Sequence, residues 1–387
     1  MSLSGMIYVD VSAAVHRRAG LGRYAESLAR ALVGRERGAP GSAGGLPYAL
    51  FYNREQGIAP LSGLEQLPAS TVALGYKPWR MLVWLGQLAH VGFDRVLPQG
   101  TLFHATEHLL LPLRSIPTVL TVHDLIFKHL PEHHKLLNRV YLNLTLPLYC
   151  RRATHIIAIS ECTRRDVMAA YHLPPEKVTV IHEAADPRFR AQTPERVAAA
   201  RERYGLPERY ILFVGTIEPR KNLTRLLHAF EALREDDLCD ALVIVGQRGW
   251  LYGDFFAELE RSPAREAVLL PGYVPDEALP AVYAGARALA FPSLYEGFGL
   301  PALEAMACGT PVACSGTSSL PEVAGDAALY FDPTSQGSIV QTLRQLLRDP
   351  DLRGELVRRG LERATQFSWD RVATETEAVY DAVMETE

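Results

Sequence analysis

The feature that most constrains the fold is an alternation, along the whole chain, of short apolar segments with segments of helical periodicity. The apolar segments of the first half are Ile7–Val11, Tyr48–Tyr52, Thr71–Leu74, Leu102–Ala105, Thr118–Val122, Ile156–Ile159 and Val178–Ile181. Those of the second half are Ile211–Val214, Leu242–Val245, Val268–Leu270, Ala288–Phe291, Pro311–Cys314 and Leu329–Phe331. The second set consists of continuous apolar runs, which predicts strands buried on both faces of a parallel sheet.

Two such series in succession predict two doubly wound α/β domains, and 387 residues are enough for both. The predicted linker is His182–Glu195, "HEAADPRFRAQTPE", where hydrophobicity drops and prolines appear. A glycine-rich segment, Gly38–Pro47, reads as a loop. Open parallel sheets bind ligands at the carboxyl ends of their strands, so the residues that follow strands are the candidates for function.

Composition excludes several other classes. The chain is 48% hydrophobic and 22% charged with a net charge of -4, so no basic field recruits nucleic acid. Five scattered cysteines show no zinc or disulfide spacing, which is typical of a reducing cytoplasm. The first apolar run contains Asp10, and no apolar run reaches the roughly 18 residues of a membrane span. We therefore expect a soluble cytoplasmic protein without a signal peptide.

The segment "TIEPRKN" follows the strand at Ile211–Val214 and precedes a helical pattern. Arg220 and Lys221 are adjacent cations beside a helix start, where side chains and helix dipole both favour a polyanion such as a diphosphate. On spacing alone, a solvated basic turn is an equally good interpretation. Asn222 is placed to cap the helix, which would fix the direction of the two cations.

The segment "YEGFGLPALEAMACG" follows the strand at Ala288–Phe291. Gly297 and Gly299 predict a turn whose N–H groups bind an anion at a helix start, with Pro301 at the first helical position and Gly309 after the end. Glu296 and Glu304 flank this turn, and carboxylates suit the hydroxyl groups on either side of a phosphate. The layout therefore predicts a nucleotide-sugar site. For either glutamate alone, a helix cap or a solvent-facing residue is the simpler interpretation.

The first half contains weaker signals. Gly20 and Gly22 lie between the first strand and its helix, where a simple turn is also a sufficient explanation. His123 and Asp124 end the strand at Thr118–Val122, which places His123 at the ligand-binding edge rather than in the core. We predict no metal site, because the polar loop with His129, His133 and His134 has no cysteine or aspartate to complete one.

Taken together, six motifs resemble the retaining nucleotide-sugar glycosyltransferases of the GT-B fold, the group 1 or Glu-x7-Glu type. In chain order they are "AGLGRYAESL", "TVHDL", "GTIEPRKN", "EGFGLPALE", "GTPVACSGTSSLPEVAGDAALYFDP" and "FSWDRVATETEAVYDAV". The resemblance implies two Rossmann-like domains that face a central cleft. An acceptor-binding domain would comprise residues 1–183 together with a returning C-terminal helix at 369–387, and a donor-binding domain residues 184–368.

The resemblance also implies roles for individual residues. Arg220 and Lys221 would bind the donor diphosphate, Glu304 the ribose, and Glu296 the transferred sugar. His123 would contact the sugar near the reacting carbon and help to hold the oxocarbenium charge, which makes His123 and Glu296 the catalytic candidates. The remaining donor contacts implied are Gly20, Gly22, Gly297, Phe298, Gly299 and Leu300. Transfer would retain the anomeric configuration and need no metal or other cofactor.

Two departures from the family pattern matter. "HEAAD" replaces the usual Asn-Gly turn of the linker, so Glu183 either alters the hinge or points at the cleft. The Gly-Leu-Gly loop, with "RKN" and "SSLPEVAG", is most similar to mannosyltransferase-type members that build bacterial surface polysaccharides. This similarity implies GDP-mannose as the favoured donor and a glycan or lipid-linked glycan as the acceptor.

Three alternatives stay open at this point. The chain is a transferase making a polysaccharide or glycolipid, a GT-B enzyme with a small-molecule acceptor of the sucrose or trehalose type, or a catalytically inactive sugar-nucleotide-binding protein. The basic and apolar segment Lys77–Phe93 bears on this choice. It is either a peripheral contact with the inner face of the membrane or, more often for such a pattern, a helix packed on its own sheet.

Overall fold

A computed structural model describes residues 5–35, 46–54, 57–59 and 61–385, so most of the expected loop at Gly38–Pro47 lies outside the described residues. The chain divides into two compact units. The first comprises Met1–Leu125, Leu137–Glu183 and Ser368–Glu387, and the second comprises Ile126–Leu136 and Ala184–Phe367. The short segment Ile126–Leu136, which the sequence placed in the first domain, thus groups with the second unit.

Each unit is built on one parallel sheet. The strands are β1 Met6–Asp10, β2 Tyr48–Asn53, β3 Ala69–Val72, β4 Gly100–Ala105, β5 Thr118–Val122, β6 His155–Ala158, β7 Val178–Val180, β8 Tyr210–Val214, β9 Ala241–Val245, β10 Val268–Gly272, β11 Ala288–Phe291, β12 Val312–Ser315 and β13 Ala328–Phe331. The first sheet has the order β3-β2-β1-β4-β5-β6-β7, and the second has the order β10-β9-β8-β11-β12-β13. All pairings within both sheets are parallel.

The helices connect successive strands. They are α1 Ser12–Val15, α2 Ala19–Gly34, α3 Tyr76–Ala89, α4 Ile126–His129, α5 Leu136–Arg152, α6 Glu161–Tyr171, α7 Pro194–Tyr204, α8 Leu223–Glu235, α9 Gly253–Arg261, α10 Leu279–Ala284, α11 Leu300–Ala307, α12 Leu320–Ala324, α13 Gln336–Arg348, α14 Pro350–Ala364 and α15 Trp369–Glu385. Among the described residues, no helix combines the length and the apolar character that a membrane span requires.

Both sheets have the doubly wound order in which the direction of winding reverses between the first and the fourth strand of the sheet. The reversal lies between β1 and β4 in the first unit and between β8 and β11 in the second. The loops after these four strands therefore border the position at which ligands bind in open α/β sheets. "TIEPRKN" follows β8 and "LYEGFG" follows β11, so both motifs lie at the switch point of the second sheet.

The predicted fold class is confirmed, and each of the thirteen expected strands is present within about two residues of its predicted bounds. The strands were recognisable because burial on both faces makes them almost entirely apolar. β5, β8, β9 and β11 are buried at every residue. All five cysteines are buried and free, in agreement with the absence of disulfide spacing.

The last helix returns to the first unit, as expected. α15 packs against α2 and β4. The Tyr380 hydroxyl lies 2.6 Å from His104 Nδ1, and the Trp369 ring stands edge-on to the ring of Tyr24 at 5.9 Å. The carboxyl-terminal part of the chain thus completes the core of the unit that the amino-terminal part begins.

Candidate functional site

The turn after β8 presents the two predicted cations. Pro219–Lys221 form a single 3-10 turn, and Asn222 follows in the left-handed region with φ of 58°. The expectation that the Asn222 side chain caps α8 is wrong. Its Nδ2 donates instead to the carbonyl oxygens of Pro292 at 3.1 Å and Pro333 at 2.8 Å. Asn222 therefore ties the turn after β8 to the loops after β11 and β13.

Four charged side chains meet at this switch point, and we call them the Arg220 cluster: Glu218, Arg220, Lys221 and Glu296. Lys221 Nζ donates to Glu296 Oε1 at 2.6 Å, and Arg220 Nη1 lies 2.8 Å from Glu296 Oε2. Arg220 Nη2 donates to Glu218 Oε1 at 2.6 Å. Sequence reasoning missed Glu218, although it stands two residues before Arg220 in the same motif. Two cations and two carboxylates make the formal charge of the cluster zero, so the basic-turn interpretation does not describe it.

The pKa values of Glu296 and Lys221 result from opposing effects of burial and of neighbouring opposite charges. Burial by itself would raise the pKa of Glu296, but the charges of Arg220 and Lys221 outweigh it and lower that pKa to about 2. The pKa of Lys221 is lowered by burial and by Arg220, against the pull of Glu296. Glu296 is thus an anion at neutral pH that its two cations hold in place.

The glycine turn after β11 has a steric requirement at one position. Gly299 has φ of 116°, and a Cβ built there would lie 2.6 Å from Leu320 Cδ2. The Ser319 hydroxyl lies 3.0 Å from the Glu296 carbonyl oxygen and 2.6 Å from that of Phe298. Residues 297–300, which were predicted to contact the donor, therefore lie in a backbone turn that packs against Leu320 and is hydrogen-bonded by Ser319. The Phe298 side chain is buried against the ring of Phe367, 5.8 Å away.

Helix α11 begins at Leu300, so Pro301 occupies its second position rather than the first as expected. Gly309 follows the helix with φ of 76°, which confirms it as the stop. Glu304 is buried within the helix and accepts a hydrogen bond from the Tyr283 hydroxyl at 2.8 Å. The solvent-facing interpretation of Glu304 is therefore wrong. Both glutamates of the Glu-x7-Glu motif are buried in the second unit.

His123, in the first unit, ends β5 and is buried. Its Nε2 lies 2.8 Å from the carbonyl oxygen of Thr106, and its Nδ1 lies 3.2 Å from Glu183 Oε1. The Tyr24 ring stands edge-on to the imidazole at 4.8 Å. The carboxylate of Glu183, for which the sequence left two roles open, pairs with His123. The pair connects the end of β5 to a residue sixty positions later in the chain.

Both ring nitrogens of His123 face acceptors, which favours the doubly protonated imidazolium. Burial lowers the pKa of His123, but the hydrogen bond and charge of Glu183 outweigh it and raise that pKa above 6.5. Two neighbouring histidines differ. Burial lowers the pKa of His104 to about 3 and that of His108 to about 4, so both are neutral at pH 7. His108 Nε2 accepts a hydrogen bond from the His123 backbone N–H.

The two predicted glycines of the first unit lie inside the first turn of α2, not in the turn before it. A Cβ at Gly22 would lie 2.8 Å from the Ala13 carbonyl oxygen, so only glycine allows α2 to pack this closely on α1. A Cβ at Gly20 would have no heavy atom within 4 Å. Packing within the first unit therefore explains Gly22 and leaves Gly20 unexplained.

His129, at the end of α4, and His133, in the turn after it, belong to the second unit and contact aromatic residues of that unit. His129 stacks on Tyr295 with ring centroids 4.7 Å apart, and the His133 carbonyl oxygen accepts a hydrogen bond from Trp250 at 2.6 Å. Within the described residues, no group of three or more His, Cys, Asp or Glu side chains is arranged to hold a metal ion.

Comparisons with known proteins identify the family to which this chain belongs. A family model described as glycosyl transferases group 1 matches residues 198–363, and one described as glycosyltransferase family 4 matches residues 18–189. The O-antigen chain mannosyltransferase B of Escherichia coli is 37% identical over 272 residues, which cover 70% of this chain and 71% of the relative.

Two solved structures show the same fold. The sucrose-phosphate synthase of Thermosynechococcus elongatus superposes with a TM-score of 0.79 at 20% identity. The match covers 99% of this chain and 100% of the synthase. Anabaena HepE in complex with UDP-glucose has a TM-score of 0.71 at 17% identity, with 98% of this chain and 99% of that chain covered. At these identities the likeness concerns the fold alone.

Proposed function

The chain belongs to the group 1 glycosyltransferases of the GT-B fold, and from that premise we propose that it transfers a mannosyl group from GDP-mannose to a glycan or lipid-linked glycan in surface-polysaccharide synthesis. The similarity to the O-antigen mannosyltransferase supports the choice of sugar and of acceptor class. The observation that carries the proposal is the Arg220 cluster, in which the predicted cations and the predicted catalytic carboxylate are in direct contact.

The reaction we propose breaks the bond between the anomeric carbon and the diphosphate oxygen. The acceptor hydroxyl forms its bond to that carbon on the same face, and its proton passes to the departing diphosphate. Retention of configuration follows from this attack, and Arg220 and Lys221 stabilise the charge that develops on the leaving group. In this scheme the two cations do the work that a metal ion performs in other transferases.

The pairing of these cations has a consequence for donor binding. Glu296 holds both Arg220 and Lys221, and a diphosphate needs the same cations. Since a carboxylate and a phosphate repel each other, we propose that Glu296 turns from the cations to the hydroxyl groups of the sugar when the donor binds. The donor thus replaces one set of charge-assisted hydrogen bonds with another.

A donor screen tests the proposal. Thermal unfolding is measured with GDP-mannose, UDP-glucose, UDP-N-acetylglucosamine and ADP-glucose, and transfer to octyl α-D-mannoside is then assayed with the nucleotide that raises the melting temperature most. A ligand present at 100 times its Kd adds about 2.7 kcal/mol of stability. We expect GDP-mannose to give the largest shift and an α-linked product. A larger shift with UDP-glucose, or an inverted product, would refute the donor or the mechanism respectively.

An unusual surface of the first unit supports a lipid-linked acceptor. The exposed large apolar side chains of α3 and of the two residues that follow it are Met81, Leu82, Leu85, Leu88 and Val91, and those of α5 are Leu136, Leu137, Val140 and Leu144. The two helices are neighbours. The Arg80 guanidinium lies 3.8 Å from the centroid of the Tyr141 ring, and Arg152 Nη1 donates to Gln87 Oε1 at 2.9 Å.

Charge on this α3–α5 surface has one sign. No acidic residue occurs between Glu65 and Asp94 or between Glu132 and Glu161, while Lys77, Arg80 and Arg139 are basic. An apolar face with basic and no acidic residues complements an anionic bilayer surface. We therefore propose that α3 and α5 together form a peripheral membrane contact, which was one of the two interpretations of residues 77–93 that the sequence left open.

Vesicle co-sedimentation tests this contact. Leu85→Glu places a charge on the surface, and Leu361→Glu introduces the same charge at an exposed leucine of α14 in the second unit. We expect the wild-type protein and Leu361→Glu to bind vesicles containing phosphatidylglycerol, and Leu85→Glu to lose binding. Equal sedimentation of the two variants, or none of the wild type, would refute the membrane contact and leave the small-molecule acceptor as the better hypothesis.

A further inference from the structure

The switch point of the first sheet carries a second group of polar side chains, four of them acidic or basic, which we call the Glu107 cluster: Asp10, Arg18, Tyr76, Arg80 and Glu107. Asp10 is the last residue of β1, and Glu107 comes two residues after the end of β4. Arg18 immediately precedes α2, and Tyr76 begins α3. None of these residues was singled out by sequence reasoning for a function.

The contacts in this cluster join a carboxylate, a guanidinium and an aromatic ring. Arg18 Nη1 donates to Glu107 Oε2 at 2.6 Å, and the Arg18 guanidinium lies 3.3 Å from the centroid of the Tyr76 ring. The Arg80 guanidinium lies 5.0 Å from the same centroid. The Arg18 side chain is 22% exposed and the Glu107 side chain only 4%, so within this ion pair solvent reaches Arg18.

One oxygen of this cluster lacks a partner. Glu107 Oε1 is buried and makes no hydrogen bond to any described residue. The neighbouring carboxyl of Asp10 is buried as well, and its burial together with the charge of Glu107 raises the pKa of Asp10 to about 7. A structural ion pair normally satisfies both oxygens of its carboxylate, because an unpaired buried acceptor costs about 1–3 kcal/mol. The arrangement is that of a site whose ligand supplies the missing donor.

The second unit is built in the same way at its own switch point. There, cations that follow the first strand of the winding, Arg220 and Lys221, pair with Glu296 after the fourth. In the first unit Arg18, after β1, pairs with Glu107, after β4. Glu218 of the second unit likewise has one buried oxygen, Oε2, without a hydrogen bond. Each sheet therefore carries a charged pair across the position at which open α/β sheets bind ligands.

We propose that the Glu107 cluster binds the hydroxyl groups of the acceptor sugar, with Glu107 Oε1 accepting from a hydroxyl and Arg18 donating to a neighbouring oxygen. This inference rests on the proposed function, because it assigns the acceptor of that reaction to residues of this chain. The buried Glu107 Oε1 is an acceptor, so the group that meets it must supply a donor, which a hydroxyl group does and an ionised phosphate or carboxylate does not. Neutral hydroxyl groups pair with a carboxylate through charge-assisted hydrogen bonds.

The position of Glu107, next to Thr106, agrees with a role in binding the acceptor. The carbonyl oxygen of Thr106 holds His123 Nε2, and the Thr106 hydroxyl donates to the Asp10 carbonyl oxygen at 2.6 Å. Glu107 is the next residue. A sugar bound by Glu107 would therefore contact the same strand ends that position His123, the predicted catalytic histidine.

The test compares Glu107→Gln with wild type in transfer from GDP-mannose to octyl α-D-mannoside. Loss of a hydrogen bond to a charged acceptor is expected to raise the KM for the mannoside about 10- to 100-fold. The KM for GDP-mannose and the hydrolysis of the donor without acceptor should stay within about twofold of wild type. Glu26→Gln, at a half-exposed glutamate of α2 that pairs with Arg30, makes the same chemical change away from the cluster and should have no effect.

Arg18→Lys provides a second variant that keeps the charge and removes the planar guanidinium, in case Glu107→Gln fails to fold. It should also raise the KM for the mannoside while the donor KM is unchanged. A mannoside KM equal to that of wild type in either folded variant, or an equal rise in both KM values, would overturn the acceptor site. Absence of transfer by the wild-type protein would instead contradict the proposed function, so the two failures are distinguishable.

Discussion

At the scale of single residues, the ion pairs of Glu296 predict that its function and its stability are linked. Glu296→Gln leaves Lys221 and Arg220 buried with less compensating charge, and breaking a buried pair costs about 3–5 kcal/mol. We expect this variant to unfold at lower urea concentration and to lose transfer by about 100-fold or more. Glu266→Gln, at a side chain that is 91% exposed, is the matched control. Normal stability together with normal turnover in Glu296→Gln would contradict the assignment.

The His123–Glu183 pair predicts a pH dependence. A histidine whose pKa is raised on folding contributes stability that is fully present below the unfolded value of 6.5 and is lost as pH rises through the folded value. We expect wild type to be more stable than Glu183→Gln below pH 6.5 and this difference to shrink as pH rises, because the neutral His104 and His108 contribute alike to both proteins. The other ionisable groups around His123 are Asp124, His104, His108 and Tyr24.

NMR titration of the His123 imidazole provides the direct measurement. Its pKa should be lower in Glu183→Gln than in wild type, because the charge that stabilises the imidazolium is removed. His104 and His108 are internal references, since both should stay neutral near pH 7 in either protein. An unchanged His123 pKa in the variant would exclude Glu183 as the group that sets it.

At the scale of elements, two glycines of α2 are predicted to differ in role: Gly22 is needed for packing, and Gly20 is not. Gly22→Ala places a methyl group 2.8 Å from the Ala13 carbonyl oxygen, and overpacking of this kind costs about 1–3 kcal/mol. Gly20→Ala meets no atom within 4 Å and should stabilise the helix by about 0.5–1 kcal/mol. Chemical denaturation of both variants tests whether Gly22→Ala lowers and Gly20→Ala raises the free energy of unfolding.

Donor KM measured on the same two variants addresses the role that family resemblance implies for both glycines. If the backbone at Gly20 approaches the donor, Gly20→Ala should raise the KM for GDP-mannose although the protein is slightly more stable. A KM that is unchanged in Gly20→Ala would remove Gly20 from the donor site. The steric role of Gly22 would stand in either case, because it depends on α1 alone.

At the scale of the whole molecule, the first unit depends on a helix from the far end of the chain. Val372, Tyr380 and Val383 of α15 are buried, and each buried apolar side chain contributes about 1.5–3 kcal/mol. We expect a chain that ends after Ser368 to lose hydrogen-exchange protection in β1 and β4 while β8, β9 and β11 stay protected. Equal protection of β4 in the truncated and full-length chains would contradict this.

The control for truncation is Tyr380→Phe, which keeps the helix and removes only the hydroxyl that meets His104 Nδ1. Because His104 is buried and neutral, its unpaired nitrogen should cost about 1–3 kcal/mol, less than loss of the whole helix. The exchange pattern of the variant should stay that of wild type, with a lower melting temperature.

Much of this organisation could be predicted because it is local. A strand buried on both faces is largely apolar, so β8 and β11 are recognisable in the sequence, and ligands in such sheets bind beyond the carboxyl ends of these strands. Arg220, Lys221 and Glu296 were identified for that reason, as was His123 after β5. The contacts of Glu296 with Arg220 and Lys221 could not be predicted, because strand order is not a property of any single segment.

The sequence by itself therefore determined the fold class, the family and the loops that carry the site. Only the tertiary structure decided which charges neutralise each other. Glu296 meets Lys221 across 75 positions, Glu183 meets His123 across 60, and Glu107 meets Arg18 across 89. Local patterns arise from burial of neighbouring residues, whereas an ion pair between distant residues exists only after the sheet has brought two strand ends together. The charge states of the site residues therefore depend on the tertiary structure.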